Sequence, residues 1–343
     1  MTFHTETAGP ALTDAPSPGW IFDRIEEWAQ RSPDQIAFTI DHKDKVEEYR
    51  YADVLERAQQ ISAALIAKGI RCGDQVGILM ENVPQWVFAL LGAMRIGAVT
   101  VPLATALPEN SIQLIAEHAG CKLLFADETN WEKASRVAEA MGIVLCDPSA
   151  VGAVYDRPGR SQSAPTDSAT ALLIYTSGTT GSPKGVELTF DNLNYEIRGV
   201  VESLQITPDH RILSVLPFSH VLPLIANGLG PLCIGAGVVF LSSISPQRII
   251  EAFHRHRITF FICVPQFFYV LHKRIFTGVE SQPFPSRFLF RWMKVLARRL
   301  KNPALRRKLF ARVHSALGPD LRLLASGGSH FDSTVARDLS ELG

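Results

Sequence analysis

Residues 175–185 read Tyr175-Thr176-Ser177-Gly178-Thr179-Thr180-Gly181-Ser182-Pro183-Lys184-Gly185. An apolar run, Ala171 to Ile174, leads into them, and Val186 to Thr189 follow as a second short strand. Gly178, Gly181 and Gly185 let the backbone come close to a ligand and take positive φ. Hydroxyls at 176, 177, 179, 180 and 182 can all donate hydrogen bonds. Lys184 adds one mobile positive charge. A loop of this chemistry suits a polyanion, and a nucleoside triphosphate is the obvious one.

Two familiar phosphate loops do not fit. The Walker loop is G-x-x-x-x-G-K-[ST], and the dinucleotide fingerprint is G-x-G-x-x-G before a helix. The order here is G-x-x-G-x-x-K-G, with Pro183 before the lysine and no hydroxyl after it. A flexible Gly/Ser/Thr linker would account for the glycines, but not for the lysine, the proline and the flanking strands. The eleven residues closely resemble the signature loop of the adenylate-forming (AMP-binding) superfamily. Its members include acyl-CoA synthetases, luciferases and the adenylation domains of peptide synthetases. The resemblance runs from about residue 20 to the end of the chain.

Two further landmarks lie downstream. Leu216-Pro217-Phe218-Ser219-His220, read alone, is a strand end and a polar turn with His220 as a core histidine. In its place after the loop, it is similar to the family motif that sets an aromatic or a histidine beside the carboxylate substrate. Ala325-Ser326-Gly327-Gly328-Ser329 follows a predicted strand, Leu321 to Leu324. It resembles the family's glycine pair, whose backbone approaches the adenine and the acyl chain. Ser329-His330 departs from the alanine and proline usual there.

The resemblance implies a role for each position. Lys184 would be a catalytic point charge on the leaving pyrophosphate, and His220 would sit by the acid. Thr176 would help hold Mg²⁺. Ser177, Gly178, Thr179, Thr180, Gly181 and Gly185 would cradle phosphate, while Ser326, Gly327, Gly328 and Ser329 would meet the nucleotide. ATP, Mg²⁺ and coenzyme A (a co-substrate) follow as expectations. The expected reaction activates a medium- or long-chain fatty acid to its acyl-adenylate and then to acyl-CoA. Alternatives are an enzyme that loads a carrier protein and a non-catalytic nucleotide-binding fragment. The family's later elements are a glutamate that binds Mg²⁺, a ribose-binding aspartate, a hinge and a small C-terminal domain with a catalytic lysine. No match to them precedes Gly343, so the resemblance implies an incomplete N-terminal domain, inactive or nearly so by itself.

Between Arg211 and Gln247 there is no Asp or Glu. A substrate ammonium buried there would lack a partner, which disfavours an amino acid. Val221, Leu222, Leu224, Ile225 and Leu229 would line an apolar pocket or simply join the core.

The chain has 343 residues, enough for about two structural units. Lys+Arg and Asp+Glu are equal at 34 each, so no global field favours nucleic acid. Five scattered cysteines without C-x-x-C spacing suggest neither a disulfide framework nor a zinc site, as in a reducing, cytoplasmic compartment. No apolar run reaches transmembrane length. Residues 1–19 lack an apolar stretch and read as a disordered lead.

Periodicity predicts a helix over Trp20–Arg31 and a hairpin from Ile36–Ile40 and Glu47–Tyr51. Another helix follows, with Val54, Ala58, Ile61 and Leu65 on one face and Gly69 as its stop. Alternating apolar runs and helical stretches then imply an α/β fold of parallel sheets flanked by helices. The resemblance implies two stacked subdomains, 20–180 with 238–285 and 181–237 with 286–343. Residues 281–319 stand apart, with ten Lys or Arg and no acidic residue. There Leu289, Trp292, Met293, Leu296, Ala297 and Leu300 form one predicted stripe, and Arg291, Lys294, Arg298 and Lys301 lie opposite. The stripe either packs internally or brings 286–301 to an anionic membrane as a peripheral contact.

Overall fold

A computed structural model describes residues 19–151, 168–176, 183–300 and 302–343. The predicted lead before residue 19 lies outside the described residues, as does the loop segment 177–182. The chain divides into two compact units, 1–210 with 214–242, and 211–213 with 243–343.

The first unit opens with α1 (Trp20–Arg31) and an antiparallel hairpin of β1 (Ile36–Asp41) and β2 (Val46–Arg50). Next come α2 (Tyr51–Ala67), β3 (Gln75–Leu79), α3 (Pro84–Arg95) and β4 (Val99–Pro102). They are followed by α4 (Glu109–Ala119), β5 (Cys121–Ala126), α5 (Trp131–Met141) and β6 (Val144–Cys146). Then β7 (Thr170–Thr176), β8 (Lys184–Thr189) and α6 (Phe190–Leu204) continue the chain, followed by β9 (Arg211–Ser214), whose residues 211–213 belong to the second unit. A helical segment of α7 (Val221–Leu224), a π-turn (Ile225–Leu229) and α8 (Gly230–Cys233) leads to β10 (Gly237–Leu241).

One sheet of this unit has the order β6-β5-β3-β4-β7-β8. Its pairs are parallel except β7 with β8, which is antiparallel. In the other, β1 pairs parallel with β10 and antiparallel with β2. These are the expected parallel sheets flanked by helices, and each also contains one antiparallel pair. The reason is local. Each antiparallel pair is a hairpin whose link is too short to hold a crossover helix.

The predicted α2 stripe is real, and Val54, Ala58, Ile61 and Leu65 are all buried. Gly92 lets α3 lie close against it, since a Cβ there would stand 2.5 Å from the Ile61 Cγ2 and 3.2 Å from the Ala58 carbonyl oxygen. Arg50, at the N-cap of α2, offers no acceptor atom. The first turn is fastened from the other side, with the Asp53 carboxylate accepting the Arg50 backbone N–H at 2.7 Å.

In the second unit the elements are α9 (Pro246–Arg255), β11 (Phe260–Cys263), α10 (Pro265–Glu280) and α11 (Phe284–Arg299). After them come α12 (Pro303–Leu309), α13 (Ala311–Leu317), β12 (Leu323–Ser326) and α14 (Ser333–Glu341). β11 pairs parallel with β9 and with β12. Ala297, Phe310 and Leu342 form one buried apolar cluster here, with Phe290 and Met293 packed against it. α14 is tied down by charge: Lys294 Nζ lies 2.6 Å from one Asp338 oxygen, His272 Nε2 lies 2.9 Å from the other, and Arg298 Nε lies 2.7 Å from Glu341.

The compact units differ from the subdomains implied by the sequence. Residues on both sides of position 180 belong to one sheet, because β7 and β8 pair along their length. The single stripe predicted on α11 also needs correction. Met293 and Ala297 face inward, while Leu289, Trp292 and Leu296 face solvent. Lys294 and Arg298 are not simply solvated, since both reach α14.

Candidate functional site

The signature loop is set between the ends of a hairpin. Thr176 closes β7 and Lys184 opens β8, and the two are register partners, as are Tyr175 and Gly185. Lys184 and Gly185 therefore belong to a strand, earlier than the strand start expected at Val186. Cross-strand partners share a face, so the Thr176 hydroxyl and the Lys184 ammonium emerge side by side, both exposed. Ser177, Gly178, Thr179, Thr180 and Gly181 lie outside the described residues.

The base of the hairpin is pinned. Tyr175 shares a hydrogen bond with His118 Nδ1 at 2.7 Å, and the two rings meet edge to face at 5.6 Å. Burial raises the Tyr175 phenol above its ordinary pKa, so it stays neutral. Gly185 has no room for a larger residue without displacement, since a Cβ there would meet Leu173 at 2.8 Å and the Tyr175 ring at 3.2 Å. At the far end of β8, Thr189 caps α6. Its hydroxyl accepts the Asn192 N–H at 3.2 Å, and the Asn192 side chain accepts the Thr189 N–H at 3.1 Å.

The second landmark is held by a residue that no motif pointed to. Asn82 donates its side-chain N–H to the Leu216 carbonyl and accepts the Phe218 N–H at 3.0 Å. Phe218 is buried and meets Trp86 at 5.3 Å and Phe240 at 5.9 Å, both edge to face. With that anchor inside, His220 is exposed at the N-cap of α7, its backbone N–H bonded to the Pro217 carbonyl at 3.2 Å. The core-histidine reading of His220 is thus excluded.

Just beyond, the π-turn carries Asn227. It is fully buried, and neither amide atom finds a hydrogen-bond partner among the described residues. π-turns recur at functional sites, and orphaned buried amides are rare. Of the five apolar residues expected to line a pocket, Leu224, Ile225 and Leu229 are buried, while Val221 and Leu222 are half-buried.

The third landmark belongs to the second unit. Ser326 ends β12 opposite Cys263 of β11, and Gly327 donates its N–H to the Cys263 carbonyl at 3.4 Å. Gly328 has φ +87, with open space where a Cβ would stand. Ser326, Gly328 and Ser329 are exposed. The segment lies at the carboxyl end of parallel strands, where open α/β sheets bind ligands. Asp332 then caps α14, accepting the N–H groups of Thr334 and Val335 at 2.8 and 3.0 Å. Those bonds hold its carboxyl below the ordinary aspartate range.

Two strand ends thus present a hydroxyl and an ammonium, a turn presents an imidazole, and a glycine pair presents open backbone. Comparison with known proteins identifies the family. The family profile described as AMP-binding enzyme matches residues 25–343. Fatty acyl-CoA synthetase A of Dictyostelium discoideum is 27% identical over 318 residues, covering 84% of this chain and 47% of that protein. A mitochondrial malonate–CoA ligase of Bos taurus is 30% identical over 259 residues, covering 69% of this chain and 43% of the ligase. In fold, the ATP-bound MatB structure from Rhodopseudomonas palustris superposes with a TM-score of 0.73 at 21% identity, over 95% of this chain and 57% of that one. The chain spans about half the length of the curated relatives it matches. It belongs to the AMP-binding enzyme family, and its fold is that of the N-terminal domain of adenylate-forming enzymes.

Proposed function

We propose that the protein activates an apolar carboxylic acid, a medium- or long-chain fatty acid, by ATP-dependent adenylation and passes the acyl group to coenzyme A. A carboxylate oxygen attacks the α-phosphorus, a new P–O bond forms, the bond to the β-phosphate breaks, and pyrophosphate leaves with that electron pair. The protein's part is positioning and charge stabilisation. Lys184 neutralises charge on the departing pyrophosphate, next to the Thr176 hydroxyl, and Ser177, Thr179 and Thr180 donate to phosphate oxygens. His220, exposed beside a rigid aromatic anchor, borders the acid.

Mg²⁺ would arrive bound to the triphosphate. Among the described residues no group of three His, Cys, Asp or Glu could hold a metal ion, so Thr176 would add one oxygen to a phosphate-held cation. Transfer to the coenzyme A thiol is proposed for the whole protein.

The observation that carries the substrate class is a charge vacuum. From Ile212 to Gln247 there is no Asp, Glu, Lys or Arg. A substrate ammonium buried against this segment would have no carboxylate partner, which is costly. An alkyl chain needs none. The test is binding of hydrolysis-resistant acyl-sulfamoyl-adenosines, measured by calorimetry on the 343-residue chain. The dodecanoyl compound should bind at least roughly tenfold more tightly than the malonyl or aminoacyl compounds, a difference of about 1.4 kcal/mol. Equal or reversed preference would refute the apolar-acid reading.

A further inference from the structure

α11 has three faces with different fates. Phe290, Met293 and Ala297 turn inward and pack with Phe310 and Leu342. Lys294 and Arg298 bind the carboxylates of α14. The third face is apolar and open: Phe284, Phe288, Leu289, Trp292, Val295 and Leu296 are each at least 46% exposed. Along it, Phe284, Phe288 and Trp292 stand at i, i+4 and i+8, with successive ring centroids 6.2 and 6.1 Å apart. A contiguous apolar face of this kind marks an interaction surface.

Its surroundings are cationic. Arg291 and Arg299 are exposed and Arg287 is half-buried. Among the described residues none of the three is held in an ion pair. They lie in a stretch, 281–319, with ten Lys or Arg and no acidic residue. Exposed aromatics bordered by unneutralised arginine are the composition of a helix lying in a membrane interface. The same charge argues against a second copy as the occupant, since a two-fold contact would set cations against cations. No described helix is long and apolar enough to cross a membrane, so the contact would be planar.

We propose that the outer face of α11 docks on an anionic phospholipid bilayer. The ladder Phe284, Phe288 and Trp292 enters the boundary between headgroups and acyl chains, and Arg287, Arg291 and Arg299 meet headgroup phosphates. The predicted single stripe over 286–301 thus changes in which residues act: Phe290, Met293, Lys294, Ala297 and Arg298 serve the fold, while Phe288, Leu289, Trp292, Val295 and Leu296 remain available. The docking is independent of the adenylation chemistry.

The experiment is co-sedimentation of the 343-residue chain with phosphatidylcholine vesicles of rising phosphatidylglycerol content, at low and high salt. Two double variants accompany it, Phe288→Ser with Trp292→Ser, and Arg291→Glu with Arg299→Glu. All four positions are exposed, so circular dichroism and melting temperature should match the wild type. The wild type should bind only phosphatidylglycerol-containing vesicles, more weakly in high salt. Each variant should bind them at least roughly tenfold more weakly. Absence of phosphatidylglycerol-dependent binding by the wild type, or equal binding by the variants, would overturn the proposal. So would a lipid-free dimer in sedimentation velocity that Phe288→Ser with Trp292→Ser dissolves, because the face would then belong to a second copy.

Discussion

The side-chain oxygen of Asn82 accepts the backbone N–H of Phe218 at 3.0 Å, across 136 positions of sequence. The amide nitrogen of the same side chain holds the Leu216 carbonyl. One residue thus clamps the backbone on either side of Pro217, where the turn that presents His220 begins. Asn82→Ala should destabilise the protein by about 1–3 kcal/mol, because a backbone donor and an acceptor both lose their partner. Urea denaturation reads this directly. A change below about 0.5 kcal/mol would mean that water replaces the amide at no cost.

The attachment of α14 should depend on acid. Burial would raise the Asp338 carboxyl, but the bonds from Lys294 and His272 outweigh it and hold it below its ordinary 3.8. In the same way burial would raise Glu341, yet Arg298 and Lys294 hold it below 4.5. A carboxylate whose folded pKa is depressed stabilises fully above its unfolded pKa, and that stability is lost as pH falls through the folded value. These two carboxylates should therefore make the unfolding midpoint drop below about pH 4. Asp338→Asn should be less stable at pH 7 and show a shallower acid drop. Parallel pH profiles for the variant and the wild type would contradict the assignment.

The five cysteines are all free, and only Cys72 is exposed. Burial pushes the Cys121 and Cys233 thiols up to about 12 and Cys263 up to about 11. Thiolates are the reactive form. In the native protein an aromatic disulfide reagent at pH 8 should titrate one thiol rapidly, and Cys72→Ser should remove that phase. Unfolding should release the others. Rapid reaction of several thiols in the Cys72→Ser protein would show that the buried sites open readily.

Much of the architecture was legible because its signals are local. The α2 face follows from spacing alone, and the hairpin of β1 and β2 from two short runs around a charged turn. Where the signal is not local, pattern fails for identifiable reasons. Lys184 and Gly185 carry no hydrophobic mark of a strand, yet register with Thr176 and Tyr175 extends β8 to include them. β12 begins two residues after the predicted strand does, because Leu321 is spent on a turn, its N–H bonded to the Gly318 carbonyl. On α11 a wide apolar arc looks like one stripe. Only α14, some 40 positions onward, separates Lys294 and Arg298 from the outward residues. Asn82 had no signal at all, since its partners are fixed by the fold rather than by spacing.

The Thr176–Lys184 hairpin mouth is proposed as a triphosphate site. Calorimetric titration of the 343-residue chain with MgATP tests it, using the wild type, Lys184→Ala, Thr176→Val and the surface variant Lys45→Ala. The wild type and Lys45→Ala should bind alike. Lys184→Ala should bind at least roughly tenfold more weakly, about 1.4 kcal/mol, and Thr176→Val should lose less, as expected for one neutral hydroxyl. Wild-type affinity in Lys184→Ala, or no detectable MgATP binding by the wild type, would contradict the account.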